Sequence, residues 1–494
     1  MLSPNNSAAY YDLAIIGGGI NGVGIAADAA GRGLKVCLIE KDDLAAHTSS
    51  ASSKLIHGGI RYLEQYDFAL VRKALMERQI LMTKAPHLIE PLRFVLPLEP
   101  NLRPAWLIRA GLYLYDHLAP ENSLPHSQAV TFDAQSPLRD SFTQGFSYYD
   151  CRVDDSRLVV AIAQGAALLG AEIKTRTQCI GAERQEDGWR LNLQSAPHKH
   201  SAVFAKALVN STGAWAADFF EHVTQMPAQP LRWVKGSHIV VPKLYQEPHA
   251  FILQATDKRV IFTLPFQDEF TLIGTTDVDY QGDLDTVSIS DAECAYLLQN
   301  VGHYFKKQLQ PEDICHRFSG IRALWQLEDK ASNASRDYQL LLDEEGPPLL
   351  SVYGGKLTTY RTLAEDALTK LRTVFPNLGP SWTKTSLLPG AKAEMTAEEL
   401  RIALLDHHPW LPDAFAKRLS ANYGTLAWHV LGDAKGMHDL GIDFGHHLTL
   451  REVEYLCQNE WAKTAEDILW RRSKLGLWFT PEQTAQLEAY LASR

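Results

Sequence analysis

The feature that most constrains what this chain can fold into is a strand–turn–helix–strand pattern within residues 12–40. Two apolar runs, typical of strands buried on both faces, flank a Gly- and Ala-rich segment that predicts a helix packed close to a sheet. Between the first run and the helix stands Gly17-Gly18-Gly19-Ile20-Asn21-Gly22, which fits G-x-G-x-x-G, and Glu40 closes the second run. Together these elements predict a unit that binds a dinucleotide.

Each residue type in this pattern has a physical role. Gly17 permits the tight turn, Gly19 lets a pyrophosphate approach the backbone, and Gly22 allows close packing of the helix. The helix N-terminus offers free N–H groups and a favourable dipole to the phosphates. Glu40 can accept hydrogen bonds from ribose hydroxyl groups, and its charge would repel a 2′-phosphate. A glycine turn without a ligand is the alternative, but the agreement of strands, glycines, helix and acid favours a nucleotide site.

Length, charge and cysteine usage exclude several classes of protein. A chain of 494 residues is long enough for two or three domains. Its formal net charge of −10 argues against a general nucleic-acid binder. Six cysteines are scattered without a C-x-x-C pair, so we expect neither a disulfide framework nor a metal site. No stretch approaches the roughly 20 apolar residues of a membrane span.

Beyond residue 40 the pattern changes several times. Hydroxyl-rich residues 48–54, followed by His57-Gly58-Gly59, suggest a loop that contacts a ligand. Residues 90–150 are interrupted by prolines and are predicted to be irregular. Alternating strands between residues 233 and 277 predict an antiparallel sheet that forms a substrate-binding layer. The chain from about residue 395 onwards is predicted to be mostly helical.

The rest of the chain indicates which dinucleotide is bound. No second G-x-G-x-x-G occurs, so one dinucleotide is expected. A nucleotide fold that is interrupted by an antiparallel insertion, and completed by a late Gly-rich strand-to-helix junction, fits a flavin enzyme that keeps its FAD enclosed.

We therefore predict an α/β fold with a Rossmann-like FAD-binding domain, an inserted antiparallel-sheet substrate domain and a C-terminal helical domain. The FAD-dependent oxidoreductase core is expected to span residues 1–385, followed by the helical domain at 386–494. Within the core we assign approximate segments, which are 1–85, 150–232 and 340–385 for FAD binding and 86–149 and 233–339 for the substrate layer.

Longer motifs stand at residues 15–24, 48–63, 153–158, 235–242, 273–277, 319–322 and 354–360. Together they closely resemble the FAD-dependent, respiratory sn-glycerol-3-phosphate dehydrogenase family. The resemblance implies oxidation of glycerol 3-phosphate to dihydroxyacetone phosphate by hydride transfer from C2 to FAD N5, with electrons passed to a membrane quinone. It also implies a homodimer that rests on the cytoplasmic face of the inner membrane as a peripheral or monotopic protein.

The resemblance also implies a set of site residues. The predicted cofactor-binding residues lie in the fingerprint and in loops that follow buried strands, and they are Gly17, Gly19, Gly22, Glu40, Thr48, Ser49, Ser50, Ser53, Lys54, Leu55, His57, Thr212, Gly213, Gly355, Lys356, Leu357 and Thr358. A phosphate dianion favours several cations, and Arg suits it best. The predicted substrate-binding residues are accordingly Arg61, Tyr62, Arg322, Lys356 and Thr359.

Oxidation at C2 also requires a group that removes the hydroxyl proton. A base poised near neutral pH suits this step, and His is the natural residue type. His238 and His57 are the two candidates, with His238 favoured by the resemblance and Arg322 expected to assist catalysis. A buried, hydrogen-bonded structural role is the alternative for either histidine.

Three other functions stay open at this point. A glycerol-3-phosphate oxidase would share the fold and use oxygen as acceptor, and the motifs do not separate oxygen from quinone. An amino-acid oxidase of the glycine-oxidase type would need a carboxylate clamp, which the crowding of Arg61, Arg322 and Lys356 argues against. A flavin-binding protein without turnover would not require His238.

Two segments are candidates for contact with a membrane surface. Residues 103–115 and 470–474 each mix aromatic rings with cations, a composition that favours an anionic interface. For the first segment, a buried helix is the favoured interpretation on sequence alone.

Overall fold

The computed structural model describes residues 9–99, 104–120, 122–196, 198–255, 257, 259–325 and 337–494, with residues 61, 64 and 65 described by their backbone only. The strands, in chain order, are β1 (Ala9–Ile16), β2 (Val36–Ile39), β3 (Leu55–Ile56), β4 (Ile89–Pro97), β5 (Gln128–Thr131), β6 (Gln144–Val153), β7 (Glu172–Lys174), β8 (Gln178–Arg184), β9 (Trp189–Ala196), β10 (Lys199–Asn210), β11 (Leu231–Pro242), β12 (Ala250–Gln254), β13 (Val260–Phe266), β14 (Phe270–Gly274), β15 (Val278–Asp279), β16 (His316–Trp325), β17 (Gln339–Asp343) and β18 (Leu349–Tyr353).

Helices cover both sheets and build the C-terminal part of the chain. In chain order they are α1 (Ile20–Gly31), α2 (Phe68–Lys84), α3 (Ala105–His117), α4 (Asp155–Leu168), α5 (Ala216–Asp218), α6 (Asp291–Tyr304), α7 (Tyr360–Lys370), α8 (Ala397–His407), α9 (Asp413–Tyr423), α10 (Ala427–Leu431), α11 (Leu450–Asn459) and α12 (Pro481–Ala492). Within the described residues, no helix combines the length and the apolar character that crossing a bilayer requires.

The first sheet contains the predicted nucleotide unit. Its strand order is β17-β18-β10-β1-β2-β7, and β1 runs parallel to both β2 and β10. Ile16, the last residue of β1, pairs with Ile39 of β2 and with Asn210 of β10, so the three strands end at one edge. Helix α1 packs against α4 and α7. The predicted strand–turn–helix–strand pattern is confirmed, and Gly17, Glu40 and Ser211 follow neighbouring strands at that edge.

The second sheet has the order β15-β11-β14-β13-β12-β4-β6-β3, with β16 added on β11 and β5 on β6. The predicted antiparallel layer is confirmed here, because β11, β13, β14 and β16 pair antiparallel. Its apolar face packs against α6, where Leu297 and Val301 are fully buried.

The prediction that residues 90–150 are irregular was wrong. Strands β4 and β6 pair antiparallel without interruption from Ile89 opposite Val153 to Pro97 opposite Gly145. Two prolines in β4 are tolerated because its parallel pairing with β12 is confined to Phe94 and Val95, so neither Pro91 nor Pro97 interrupts that ladder.

The C-terminal helices have an apolar core of their own, to which Phe415 and Phe444 contribute fully buried rings. This unit is joined to the first sheet by buried ion pairs. Asp43, three residues beyond Glu40, accepts hydrogen bonds from Arg471 Nε at 2.7 Å and from Arg472 Nη1 at 2.9 Å and Nη2 at 2.8 Å. These three side chains are almost completely buried, so the charges are well shielded from water.

Further pairs extend this junction. Lys474 Nζ lies 2.8 Å from the Asp154 carboxylate and 2.7 Å from Ser156 Oγ, both at the start of α4. Arg157, one residue further along, donates to both carboxylate oxygens of Glu460. The C-terminal unit is therefore held to the nucleotide-binding sheet by paired buried charges rather than by apolar contacts alone.

These contacts correct the sequence-based interpretation of both membrane candidates. Arg471, Arg472 and Lys474 cannot face a bilayer, because their charges are paired inside the protein. For helix α3 the sequence alone favoured a buried helix, but the structure exposes one side of it. Its Trp106 side chain is 71 % exposed and its Tyr113 side chain 61 % exposed. Residue 103 lies outside the described residues.

We predict that Arg472→Met lowers the free energy of unfolding by about 3 kcal/mol, at the low end for a broken buried pair because Arg471 still reaches Asp43. Urea denaturation followed by circular dichroism measures this value. Lys417→Met is the matched control, because Lys417 of the same C-terminal unit pairs with Asp268, between β13 and β14 of the second sheet, but both side chains are more than half exposed. That variant should change stability by less than about 1 kcal/mol. Equal effects of the two variants would contradict a special role for the buried pair.

Candidate active site

A cavity of about 1040 Å³ opens between the two sheets. One wall is formed by the turn after β1, by the end of β2 and by residues that follow β10, and the facing wall by β11, β13 and β16. This volume is at the upper end for small-molecule and cofactor sites, so the cavity has room for a cofactor together with a substrate.

The turn at residues 17–22 is as tight as the fingerprint requires. Gly17 has φ +112°, a conformation that favours glycine, and a Cβ there would lie 2.5 Å from Ser211 O. A Cβ on Gly22 would overlap the Gly17 carbonyl oxygen. Gly17 and Gly19 line the cavity, whereas Gly22 lies behind it and permits the close start of α1. The helix N-terminus therefore reaches the cavity without a side chain in the way.

Glu40 lies at the same edge of the sheet. Its Oε2 accepts the Gly18 N–H at 2.6 Å and its Oε1 accepts the Asp42 N–H at 2.8 Å. Burial raises the pKa of the carboxyl, while these two N–H groups act against that shift. The side chain lines the cavity beside the glycine turn, which is where a ribose-binding acid is expected.

The serine-rich loop, residues 48–54, bridges the two walls. Ser49 Oγ accepts the Ile20 N–H at 3.0 Å at the start of α1. Thr48 Oγ1 donates to the Ile321 carbonyl oxygen at 2.8 Å, which ties the loop to β16. Ser53 Oγ lies 2.9 Å from His238 Nε2. The loop thus connects the nucleotide turn with the strands of the substrate layer.

Two predicted cations line the cavity. Arg322, on β16, contacts Asp277 Oδ1 at 3.3 Å and Thr275 Oγ1 at 3.4 Å and remains partly exposed. Lys356 Nζ lies 4.5 Å from the centroid of the Tyr62 ring, a cation–π geometry. Because neither cation is locked into a short buried ion pair, both can contribute to anion binding.

His238 is seated firmly in the wall of the cavity. Its ring stacks on Phe318 with centroids 5.0 Å apart, and it lies so close to β14 that a Cβ on Gly274 would overlap it. Burial, followed by the charges of Lys54 and Arg322, lowers the pKa of His238 to about 3. The expectation of a base poised near neutral pH is therefore not met, because the buried imidazole stays neutral.

His57 lines the cavity at the end of the serine-rich loop region, with its backbone N–H 3.3 Å from Thr358 Oγ1. Burial lowers its pKa, although the carboxylate of Asp150 acts in the opposite direction. Both candidate histidines therefore have a pKa lowered by burial beside the same cavity.

Most of the predicted site residues are brought together. Those that line the cavity are Gly17, Gly19, Glu40, Thr48, Ser49, Ser53, Leu55, His57, Tyr62, Thr212, Gly213, His238, Arg322, Gly355, Lys356, Leu357 and Thr358. The side chain of Arg61 lies outside the described part of the chain.

Ser50, Lys54 and Thr359 are not brought to the cavity wall. Lys54 Nζ pairs with Asp155 at 2.7 Å and donates to the Ser50 carbonyl oxygen at 2.9 Å, so its charge is used inside the protein. Thr359 is almost completely buried at the start of α7.

Several cavity residues were missed by the sequence analysis. Asn21, within the fingerprint, donates to Gly354 O at 3.0 Å and leaves its Oδ1 buried without a partner. Trp233 Nε1 is likewise a buried donor without a partner at the wall. Thr275 and Asp277, which hold Arg322, stand in the motif at residues 273–277, so they, like Asn21 in the fingerprint, carried a sequence signal.

The residues present fit an FAD. The glycines at residues 17–19 and the buried Glu40 match the pyrophosphate and ribose groups, and the unpartnered polar atoms of Asn21 and Trp233 can meet further polar groups of a cofactor.

Comparison with known proteins agrees with this geometry. The family model described as FAD dependent oxidoreductase matches residues 12–361, and the C-terminal domain of alpha-glycerophosphate oxidase matches residues 381–491. A solved glycerol-3-phosphate dehydrogenase from Bacillus halodurans, complexed with FAD, has a TM-score of 0.74 at 24 % identity and covers 98 % of this chain and 94 % of its own. The protein is an FAD-dependent oxidoreductase.

Curated relatives narrow this class. A glycerol-3-phosphate dehydrogenase from Pseudomonas aeruginosa is 53 % identical over 490 residues, covering 98 % of this chain and 96 % of the relative. A D-erythritol 1-phosphate dehydrogenase from Brucella abortus is 46 % identical over 484 residues and covers 96 % of each. Within the FAD-dependent oxidoreductases, the chain belongs to the glycerol-3-phosphate dehydrogenase family.

The pKa of His238 gives a prediction for the pH dependence of stability. Between about pH 6.5 and pH 3 the unfolded chain binds a proton that the folded imidazole does not, so stability is lost as the pH falls through this window. At pH 5 the loss due to His238 is about 2 kcal/mol. Urea denaturation of parent and His238→Gln at pH 8 and pH 5 should show that the variant loses about 2 kcal/mol less. His222→Gln is the control, because the His222 side chain is exposed. Equal pH slopes in all three proteins would show that the pKa of His238 is not lowered by folding.

Proposed function

We propose that the protein oxidises sn-glycerol 3-phosphate to dihydroxyacetone phosphate and passes the electrons to a membrane quinone. The observation that carries the proposal is the placement of Arg322, Lys356 and His238 on the cavity that the nucleotide turn also lines. The substrate named for the Pseudomonas aeruginosa relative supports it.

The cations are proposed to bind the phosphate. Arg322 offers a planar guanidinium suited to bidentate contact with phosphate oxygens, and Asp277 and Thr275 orient it. Lys356 adds a second positive charge above the Tyr62 ring. Because glycerol lacks a phosphate, it is expected to be a poor substrate.

His238 is proposed to accept the proton of the C2 hydroxyl group. Its imidazole is neutral, and Ser53 Oγ holds Nε2 at 2.9 Å, which fixes the ring for proton transfer. A phosphate dianion bound near Arg322 would offset the positive charge that helps to lower the pKa of His238, so substrate binding itself would strengthen the base. FAD, when bound, supplies the acceptor for the two electrons that leave C2.

A second substrate is supported by a specific observation. The Brucella abortus relative is named for D-erythritol 1-phosphate and is 46 % identical, and a cavity of about 1040 Å³ has room for a longer polyol phosphate.

For the electron acceptor, oxygen is the alternative to quinone, since the family model that matches the C-terminal residues is named after an oxidase. The homodimer stays a prediction.

Helix α3 is proposed as the surface that contacts the membrane. It presents the largely exposed rings of Trp106 and Tyr113, and the exposed Tyr66 lies on the neighbouring turn. Aromatic rings on an exposed amphipathic helix suit the headgroup region of a bilayer. A quinone-linked enzyme needs such a contact, because its acceptor is dissolved in lipid, and the cytoplasmic face of the inner membrane is the proposed location.

We predict that glycerol 3-phosphate, added without oxygen to the FAD-loaded protein, bleaches the visible flavin band. Arg322→Ala should lower kcat/KM by an amount equivalent to about 2–5 kcal/mol, because the phosphate loses a charged, bidentate partner. Arg317→Ala is the matched control, since Arg317 lies on the same strand but pairs with the exposed Asp291 away from the cavity.

The outcomes of this experiment separate the candidates. A larger kcat/KM with D-erythritol 1-phosphate would make the four-carbon polyol the substrate. Stoichiometric peroxide under air, without turnover of a quinone, would make the protein an oxidase. Unchanged kcat/KM in Arg322→Ala would contradict the assigned phosphate site.

We also predict that the protein sediments with anionic vesicles and that Trp106→Ser with Leu107→Ser weakens this binding while turnover with a soluble dye stays unchanged. Leu168→Ser with Leu169→Ser is the control, because it removes exposed apolar surface at the end of α4 instead. Parent protein that fails to bind, or equal losses in both double variants, would exclude α3 as the contact.

A further inference from the structure

A buried polar network lies behind the cavity at residues 57–59. It joins Arg78 of α2, Tyr115 of α3 and Asp150 of β6, and all three side chains are almost completely buried. Arg78 Nη1 donates to Asp150 Oδ1 at 2.6 Å, and the Tyr115 hydroxyl lies 2.8 Å from Oδ1 and 2.7 Å from Oδ2 of the same carboxylate. The carboxylate is thus neutralised and oriented on two sides. We call these residues the Asp150 network.

The network contacts the backbone of residues 57–59, which we call the cavity loop. The Gly58 N–H donates to the Tyr115 hydroxyl at 2.9 Å, and its contact with Asp150 Oδ1 is longer, at 3.3 Å. A Cβ on Gly58 would lie 2.6 Å from the Tyr115 hydroxyl oxygen and would overlap Leu75. The glycine therefore lets the tyrosine hydroxyl approach the backbone directly.

The direction of these hydrogen bonds is fixed. Burial, followed by the charge of Asp150, raises the pKa of Tyr115 well above its usual range, so the hydroxyl keeps its proton. That single proton is donated to the carboxylate, which leaves an oxygen lone pair for the Gly58 N–H. The tyrosine thus transmits the fixed position of Asp150 to the backbone of the loop.

The residues beside Gly58 line the cavity in which the proposed reaction takes place. His57 and Gly59 line the cavity, and Gly59 has φ +72°, which turns the chain towards Tyr62. A shift of the Gly58 backbone would move His57 on one side and, on the other, Tyr62, whose ring lies beneath the proposed phosphate ligand Lys356. Positioning errors of about 1 Å are costly in catalysis, because reacting groups must meet at short range.

We propose that Tyr115 is a positioning residue, whose hydroxyl holds the Gly58 N–H so that residues 57–62 keep the geometry required for substrate binding and oxidation. The inference rests on the proposed function for its kinetic consequence. Its structural consequence, a protected amide at Gly58, is independent of the substrate.

The test uses Tyr115→Phe in the full-length, FAD-loaded protein, because this change removes one oxygen atom and keeps the ring. The limiting rate of flavin reduction by glycerol 3-phosphate should fall on the order of 10-fold to 100-fold, and the half-saturating concentration should rise severalfold. Tyr113→Phe is the matched control on the same helix, since Tyr113 is exposed. It should match the parent in both constants.

A purely structural role would lower the Tm or the fraction of reducible flavin without moving the half-saturating concentration of the remaining enzyme. Amide hydrogen exchange over residues 55–60 is measured alongside and should be faster in Tyr115→Phe than in Tyr113→Phe. Gly58→Ala, which displaces the same contact from the loop side, should reproduce the raised half-saturating concentration.

The outcomes remain distinguishable from a failure of the proposed function. If neither polyol phosphate reduces the flavin of the parent protein, the proposed function is refuted. The amide exchange rates over residues 55–60 would still decide the inference about Tyr115. Parental kinetic constants together with parental exchange in Tyr115→Phe would overturn the positioning role.

Discussion

The architecture of the cavity depends on the contact between the Gly17 carbonyl oxygen and Gly22. Because residue 22 has no side chain, α1 begins directly against the turn that leaves β1, and its N-terminus points into the cavity. The same helix carries Gly24 against the ring of Tyr360, so α1 also packs closely on α7. With α1 in this position, Glu40 and Ser49 meet the turn from two sides and complete the nucleotide end of the cavity.

Charges inside the protein hold the remaining walls. Asp43, held by Arg471 and Arg472, fixes the loop that follows Glu40 to the C-terminal unit. Such buried pairs stabilise only when every charge is satisfied, and here each is hydrogen-bonded to a partner of opposite charge. The C-terminal helices therefore contribute to the cofactor end of the site although they do not line it, which gives this domain a role in shaping the cavity.

Helix α3 links an exposed surface to the cavity. Its outer side carries Trp106 and Tyr113, whereas Tyr115 on its inner side reaches the Gly58 backbone through the Asp150 network. A single 13-residue helix thus carries both the proposed membrane contact and the proposed anchor of the cavity loop. The two sides are separable by mutation, because no residue contributes to both.

Sequence patterns predicted the elements whose formation is decided locally. The nucleotide unit and the antiparallel substrate layer follow from periodicity and from glycine spacing, because these signals act over a few residues. Residues 90–150 were misjudged, since their prolines suggest irregular structure until the short pairing of β4 with β12 is known. Most predicted site residues line one cavity, because they stand in loops at strand ends, but Lys54 does not, since Asp155, about a hundred residues away, binds its charge.

The sequence by itself determined the dinucleotide turn, the acid that follows β2 and the family, because residue type at fixed spacing specifies them. Tertiary structure alone decided where charges and rings lie. It buried the cations at residues 471–474 against Asp43 and Asp154, exposed the rings of α3, and enclosed His238 so that its imidazole stays neutral. The physical reason is that burial, ion pairing and pKa depend on neighbours that only the fold brings together.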